Sequence, residues 1–429
     1  MGPAFSLAST LGVMVAVAGG LSLPALAAMT AIMLLIALTF SQLVAHFPDA
    51  GSSYGWARRA FGDRAGAYTA WILLVANFFA VLATAIPAGS YTLALIAPRL
   101  VDSAAWDAGV GCIWIVACAA ILYLGVRSSA LVAAVLLIAE LAILAASAWA
   151  GEMFPAPAVV TAPQVASTGA GFVAAMVLAI WMVDGWEVSA STSEETRASS
   201  RSAGSGGILG LLVTAAFLFV CSAAYLHVAG VGGLASHQVD ALAFTGERLG
   251  GIWRLLLVIT VLVSLTASLE TTLLYLVRSV YAMGRDGVLP AALGRLGATT
   301  FDPDVALVAV TCASLLAMVL VGFVPSANAA LTLVLSGTSV FLGLLFLTSC
   351  GAWLRLRTQT SEPQGTPLFA ATAGLALVAV LSIAVVQAEP ATRSCILVAL
   401  ALGVPVALVY RTHRRSGKVE SPAARNIGG

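Results

Sequence analysis

Charged residues are scarce in this sequence. Asp, Glu, Lys and Arg make up 9% of its 429 residues, whereas 60% are hydrophobic; a soluble domain carries about 25% charged residues. A chain with so few polar side chains cannot cover its surface in water, so we expect lipid around its outer faces. The formal net charge of +1 and the absence of a basic run before the C-terminal tail give no basis for a nucleic-acid partner.

The residues from which enzymes and metal centres are built are also sparse. The sequence has one lysine, Lys418, four scattered histidines and six cysteines without a Cys-X-X-Cys pair. It contains neither a His-Glu-X-X-His motif nor a Gly-rich phosphate loop, so a membrane-embedded enzyme built on Asp184, Glu187, Glu194 and Glu195 has little support. We therefore predict no enzymatic activity, no cofactor and no metal, and we interpret the cysteines as reduced packing residues.

What the sequence has in abundance is long apolar runs. A membrane-spanning helix needs about 20 apolar residues, and twelve runs approach or exceed that length. They are residues 2–19, 23–47, 65–97, 107–126, 128–150, 169–190, 207–230, 251–282, 304–324, 327–353, 366–388 and 392–410. This pattern predicts an all-α integral membrane protein of about twelve transmembrane helices, with one membrane domain over residues 1–410 and a tail over residues 411–429.

The distribution of basic residues predicts the orientation. Sixteen of the 20 Lys and Arg residues fall in alternate connections and in the tail; the other four are Arg99, Arg248, Arg254 and Arg393. Because basic residues concentrate on the cytoplasmic side, we expect the tail to be cytoplasmic and the protein to span a cell (inner) membrane. Twelve spans would place the N-terminus in the cytoplasm too. Since the first run starts at Gly2 with no polar leader, we also expect the first helix to lack its cytoplasmic half.

The sixth run contains two carboxylates. It passes from apolar residues into Asp184, Gly185, Trp186 and Glu187, about ten residues before the basic Arg197. Carboxylates inside a membrane are costly and usually face a cavity or an ion path. An adjacent glycine permits a broken helix whose free backbone groups line such a cavity. The alternative is that the helix ends here and both acids reach headgroup water.

The first run has a matching irregularity at Gly2-Pro3-Ala4-Phe5-Ser6, where Pro3 lacks an N–H donor. Runs one and six are five apart, which suits an inverted repeat of five plus five helices. We therefore expect the two breaks to face each other near the middle of the membrane.

Three motifs, in order along the chain, resemble those of the amino acid/polyamine/organocation (APC) superfamily of permeases. Residues 183–196 (VDGWEVSASTSEET) resemble the broken sixth helix and the Glu-Glu pair that follows it. Residues 48–54 (PDAGSSY) with 58–62 (RRAFG) resemble the loop after helix two. Residues 278–290 (RSVYAMGRDGVLP) resemble the turn after helix eight.

The resemblance implies a five-plus-five inverted repeat, two peripheral helices, and a substrate bound between discontinuous helices 1 and 6. Backbone N–H groups near Gly2, Ala4, Phe5 and Ser6 would then hold a carboxylate, with Pro3 part of the same substrate-binding segment. Acids and carbonyls around Asp184, Gly185 and Glu187 would hold an amine, and Trp186 would be a gate or lid. For Trp186, packing or interfacial anchoring is the alternative.

Candidates for ion coupling lie on other helices. Glu270 and Glu140 are intramembrane carboxylates that could carry a proton, or could be neutral and satisfied by neighbouring hydroxyls. Ser264, Thr266 and Ser268 could instead supply oxygen ligands to sodium, or act as packing residues. Four further polar residues could line a pocket by the same logic: Asn77, Ser336, Thr338 and Ser339.

Together these features predict a secondary transporter of an amino acid or related amine, working by symport or antiport and coupled to a proton or sodium gradient. The acidic path of Asp184, Glu187 and Glu270 favours an amine, and we expect a zwitterion slightly ahead of a polyamine. The alternatives are a polyamine or organocation transporter, a channel, or a transport-incompetent relative that acts as a sensor or binding protein. The sequence does not indicate an oligomeric state.

Overall fold

The computed structural model describes residues 2–49, 51–100, 103–124, 126–153, 167–191, 200–237, 241–297, 302–324, 327–359, 367–388 and 390–409. Within these ranges the chain is helical and contains no β-strand. The predicted cytoplasmic tail, residues 411–429, and the Glu194-Glu195 pair lie outside the described residues.

Sixteen α-helices follow one another along the described chain. They are α1 (Pro3–Ser6), α2 (Gly12–Ala18), α3 (Ser22–His46), α4 (Ser53–Phe61), α5 (Asp63–Ile96), α6 (Ala104–Tyr123), α7 (Val126–Glu152), α8 (Gly169–Met182), α9 (Val188–Ser191), α10 (Ser200–Ser236), α11 (Ala241–Leu249), α12 (Trp253–Arg285), α13 (Asp304–Val321), α14 (Ala327–Leu356), α15 (Pro367–Gln387) and α16 (Pro390–Val409). A π-helical turn, Leu7–Leu11, joins α1 to α2, and a 3₁₀ turn, Gly19–Leu21, joins α2 to α3.

Most helices coincide with the predicted apolar runs to within a few residues, but α10 extends the predicted run 207–230 at both ends and α8 ends eight residues before the predicted run 169–190 does. Nine helices in the described ranges are long and apolar enough to cross a membrane, and two shorter apolar helices accompany them, Gly169–Met182 and Arg393–Leu408. The first of the nine, Pro3–His46, has 44 residues, about 66 Å at 1.5 Å per residue. That is twice the thickness of a membrane core, about 30 Å. The backbone leaves the helix at Gly19 (φ 55°), between the two runs predicted there.

Two short helices, α4 and α11, were not predicted, because neither is a long apolar run. α4 lies between α3 and α5, starting after Ser52 (φ 47°) and ending at Gly62 (φ 92°). Its Trp56 is buried and donates its indole N–H to the carbonyl oxygen of Phe47 at 2.7 Å, which fixes α4 against the end of α3.

The outer and inner helices differ in burial. α5 and α14 are the most buried of the long apolar helices, and α7 and α15 are among the least. Large apolar side chains of the outer helices are exposed, including Leu131, Phe323, Leu375 and Val386. Exposed apolar surface on this scale needs lipid around it. The chain is therefore a multi-pass membrane protein.

A cavity between two broken helices

The first predicted helix (helix 1) comprises α1, the π-helical turn and α2, and its first turn is buried. Pro3 occupies the first helical position and Gly2 the N-cap position, and no side chain near in sequence caps the helix. A Cβ on Gly2 would collide with Ser264 and Ser268 of α12. Glycine therefore lets the first turn lie directly against α12.

The N–H groups of this first turn bond to the protein itself. Ala4 N–H donates to Glu140 Oε1 of α7 at 2.6 Å, and Phe5 N–H donates to Ser264 Oγ at 3.0 Å. Ser264 in turn donates to the same Glu140 oxygen at 2.8 Å, and Ser6 N–H donates to Gly2 O at 2.9 Å. A buried carboxylate thus caps the positive end of the helix, where an anion is favoured.

The sixth predicted helix (helix 6) comprises α8 and α9 and is interrupted at the predicted place. α8 ends at Met182, α9 begins at Val188, and between them Gly185 has φ 97°, which glycine adopts readily and other residues do not. Gly185 N–H donates to Glu187 Oε2 at 2.9 Å, so the acid stabilises the break from within. Asp184 Oδ1 is buried and has no hydrogen-bond partner among the described residues.

A cavity of about 60 Å³ lies between the two breaks. Because one water occupies roughly 10–15 Å³ of such a cavity, there is room for a few waters or a small solute. The predicted site residues that line it are Gly2, Phe5, Ser6, Asn77, Asp184, Gly185, Glu187 and Ser268. The structure thus brings the first turn of helix 1, the break in helix 6, the Asn77 amide of α5 and the Ser268 hydroxyl of α12 to one place.

Several lining residues were not predicted. They are Ala80, Thr84, Trp181, Val188, Thr271, Thr272, Tyr275 and Leu342. Thr271, Thr272 and Tyr275 follow Ser268 at three, four and seven residues along α12, which places them on one helix face. That spacing is visible in the sequence and could have identified them.

Other predicted residues lie outside the cavity. Pro3 is in the first turn, behind Gly2, and Ala4, Glu140 and Ser264 form the cap of helix 1. The hydroxyl of Thr266 donates to the Leu262 carbonyl within its own helix. Of the predicted pocket-lining residues of α14, Ser336, Thr338 and Ser339 do not line the cavity either.

Glu270, the first candidate for proton coupling, is also placed elsewhere. It is buried on α12, and its side chain lies within electrostatic range of Cys118 on α6. Two residues of its own helix turn, Ser268 and Thr271, line the cavity while Glu270 does not. It therefore belongs to the contact between α12 and α6.

Trp186 packs away from the cavity. Its ring stacks on Phe346 of α14, with centroids 5.7 Å apart, and meets Phe40 of α3 edge-on at 5.1 Å. Phe40 also contacts Trp56 of α4 edge-on at 5.0 Å. The position expected to be a lid is thus part of an aromatic cluster that joins the helix 6 break to α3, α4 and α14. Trp181, five residues earlier in the sequence and on α8, is the tryptophan that lines the cavity.

The cavity is acidic. Asp184 and Glu187 contribute two carboxylates, and its described lining contains neither Lys nor Arg. In a membrane interior two neighbouring carboxylates without a cation are costly. A bound ammonium group would offset one of these negative charges and could donate hydrogen bonds to both carboxylates.

A second polar cluster joins two connections that sequence reasoning assigns to one side of the membrane. Arg58 of α4 forms an ion pair with Asp286, which follows α12, at 2.9 Å, and the Tyr54 hydroxyl donates to Asp286 at 2.8 Å. Tyr54 is buried, and that burial, with the Asp286 carboxylate second, raises the pKa of Tyr54 well above its usual range. Tyr54 therefore remains a hydrogen-bond donor at any ordinary pH.

Comparison with known proteins identifies the family of the chain. Residues 2–405 match the family model described as "Amino acid permease". None of the curated proteins matches the sequence significantly. The matched family consists of transporters of small organic substrates rather than enzymes, and it lies within the superfamily that the three motifs resemble. Because the match covers nearly the whole sequence, this chain belongs to the amino acid permease family.

Proposed function

We propose that the protein carries a small amine-bearing solute, an amino acid or a related amine, across the cell membrane by alternating access. One observation carries the proposal: the first turn of helix 1 and the interruption of helix 6 line one acidic cavity inside a membrane protein of the permease family. Secondary transporters bind substrate where discontinuous helices expose polar groups in the middle of the membrane.

The full architecture is part of the proposal. The nine long helices, the division of Pro3–His46 at Gly19 and the two shorter apolar helices together suit twelve crossings. We propose that the first ten form a five-plus-five inverted repeat, with α15 and α16 peripheral. The contact of Arg58 with Asp286 supports placing those two connections on one side, which the charge distribution makes cytoplasmic along with the C-terminus.

We propose coupling to a proton gradient through Glu140. Its carboxylate holds both the first turn of helix 1 and Ser264 of α12, so a change in its charge would alter the contact between these helices. Glu270 is the weaker candidate because it lies outside the cavity. A sodium site from Ser264, Thr266 and Ser268 is less favoured, since the hydroxyls of Ser264 and Thr266 are both engaged within the protein.

Counterflow tests the proposal. Proteoliposomes loaded with unlabelled amines and amino acids should accumulate the radiolabelled compound transiently, because a carrier exchanges the two. Passive equilibration without accumulation would indicate a channel. Saturable binding without any flux would indicate a sensor or binding protein, and either result would overturn the proposed function.

Proton coupling is tested in the same vesicles. Uptake should rise with an inward proton gradient, and Glu140→Gln should remove that dependence, because the amide cannot gain or lose the proton. Glu270→Gln should retain it. If the dependence survives Glu140→Gln and disappears in Glu270→Gln, the assignment to Glu140 is wrong.

A further inference from the structure

We infer that the cavity selects amines that lack a carboxylate over the corresponding amino acids. The inference rests on the proposed function, because it concerns the substrate class of the same cavity. Its basis is the balance of free hydrogen-bond donors and acceptors on the two broken helices.

The donors of helix 1 are already used. Pro3 has no N–H, and the N–H groups of Ala4, Phe5 and Ser6 bond to Glu140, Ser264 and Gly2 respectively. The anion that a helix N-terminus favours is thus supplied by the protein. A substrate carboxylate would have to displace Glu140 to obtain the Ala4 N–H.

The donors of helix 6 are used as well. Val183 N–H donates to Ala179 O, Asp184 N–H to Trp181 O, and Gly185 N–H to Glu187 Oε2. These bonds leave none of the three N–H groups pointing unsatisfied into the cavity. None of these three N–H groups is therefore free to bind a carboxylate.

The charged side chains of the described lining are acceptors, and its donors are neutral. Asp184 Oδ1 is buried without a hydrogen-bond partner among the described residues, and Glu187 adds a second carboxylate. The Thr84 and Thr271 hydroxyls donate to carbonyls of their own helices. The other donor groups of the described lining are the Trp181 indole N–H, the Asn77 amide and the hydroxyls of Ser6, Ser268, Thr272 and Tyr275. Each of them is neutral, so none offsets the charge of a substrate carboxylate.

The charges of the cavity lining favour the same ligands as its hydrogen-bonding groups do, namely amines without a carboxylate. An ammonium group meets two acidic side chains here, whereas a substrate carboxylate would bring a further negative charge into a small buried space. Like charges brought together at a buried site cost several kcal/mol. Glu140 takes the place that a substrate carboxylate would need, so the ligand requires only its amine.

Paired ligands that differ by one carboxylate test the inference. Binding to the purified wild-type protein is measured for ethylamine against alanine and for putrescine against ornithine, by calorimetry or by thermal shift. We expect each amine to bind at least about tenfold more tightly than its partner, because the carboxylate finds no charged donor at the described lining and meets like charge. Equal or tighter binding of alanine and ornithine would overturn the inference and leave the proposed function standing. Failure of all four compounds and of wider amine and amino acid panels to bind would overturn both.

A variant pair tests the role assigned to Glu140. Glu140→Gln removes the internal negative charge and should narrow the amine preference severalfold, whereas Glu152→Gln, an exposed acid at the end of the same helix, should not. Glu140→Asp retains the charge and should keep the preference, which provides a second comparison if Glu140→Gln is unstable. A preference that is unchanged in Glu140→Gln, or lost equally in Glu152→Gln, would show that Glu140 does not set it.

Discussion

The start of helix 1 and the break in helix 6 differ in how their polar groups are satisfied by hydrogen bonds. At the start of helix 1, a carboxylate and a hydroxyl from distant helices, Glu140 and Ser264, take up the exposed N–H groups. At the break in helix 6, Glu187 accepts from Gly185 N–H, and Oδ1 of the neighbouring Asp184 has no hydrogen-bond partner among the described residues. The protein itself therefore satisfies the N–H groups at the start of helix 1, whereas the break in helix 6 keeps an oxygen that can still accept a hydrogen bond.

This difference indicates which break recognises the ligand. A buried polar atom without a partner costs about 1–3 kcal/mol, so it persists where a ligand or water supplies the missing partner. Asp184 Oδ1, at the break in helix 6, is such an atom, and as a carboxylate oxygen it requires a hydrogen-bond donor. Helix 1 contributes uncharged lining residues to the cavity, namely Gly2, Phe5 and Ser6. Helix 6 contributes the acidic residues Asp184 and Glu187.

The largest effect is expected at the acid that both stabilises the break and faces the cavity. Glu187→Ala should weaken amine binding by about a hundredfold, since loss of one partner of a buried charge pair costs about 2–5 kcal/mol. Glu187→Gln separates the two roles, because its amide oxygen can still accept from Gly185 N–H but carries no charge. If calorimetry finds amine affinity unchanged in Glu187→Ala, the ligand does not bind at helix 6.

The position of this acid could be predicted from the sequence, but its surroundings could not. Asp184 to Glu187 stand out because two carboxylates interrupt an apolar run, and the long apolar helices are recognised by the same contrast. The bonds from Glu140 to Ala4 and Ser264 join residues 136 and 124 positions apart, and only tertiary packing determines them. The side-chain direction of Trp186 is likewise decided by the aromatic rings of α3 and α14 and not by its neighbours in the chain.

A smaller effect is expected from the backbone of the helix 6 break. Gly185→Ala places a side chain at φ 97°, which costs about 1–2 kcal/mol and shifts the carboxylates on either side. Amine affinity should fall about tenfold and the melting temperature should decrease. Gly210→Ala is the matched control, because that helical glycine is exposed and its added Cβ meets no atom within 4 Å. Similar losses in both variants would show that the break has no special role.

At helix 1 we expect a change in stability with little change in affinity. Ser264→Ala removes the hydroxyl that links Phe5 N–H to Glu140, which should cost about 1 kcal/mol of stability. Amine affinity should remain within about twofold, because the serine does not line the cavity. A large loss of amine affinity with an unchanged melting temperature would reverse the roles assigned to the two breaks.

The smallest effect on binding is expected far from both breaks. Tyr54→Phe removes the hydrogen bond to Asp286 and should lower stability by about 1–2 kcal/mol without altering amine affinity. Because burial, with the Asp286 carboxylate second, raises the folded-state pKa of Tyr54 above the usual value for tyrosine, about 10, the stabilisation is present below that pH and is lost as the pH rises further. Melting curves should therefore show wild type and variant converging only above about pH 10. A constant difference at high pH would contradict this account of Tyr54.

The most direct test of the account is a structure of the protein with a small bound amine, with the ligand located by anomalous or difference density. We predict that the ammonium nitrogen lies within hydrogen-bonding distance of Asp184 and Glu187, with Glu140 still bonded to Ala4 N–H. An amine bound elsewhere, or a ligand carboxylate in place of Glu140 at the start of helix 1, would contradict it.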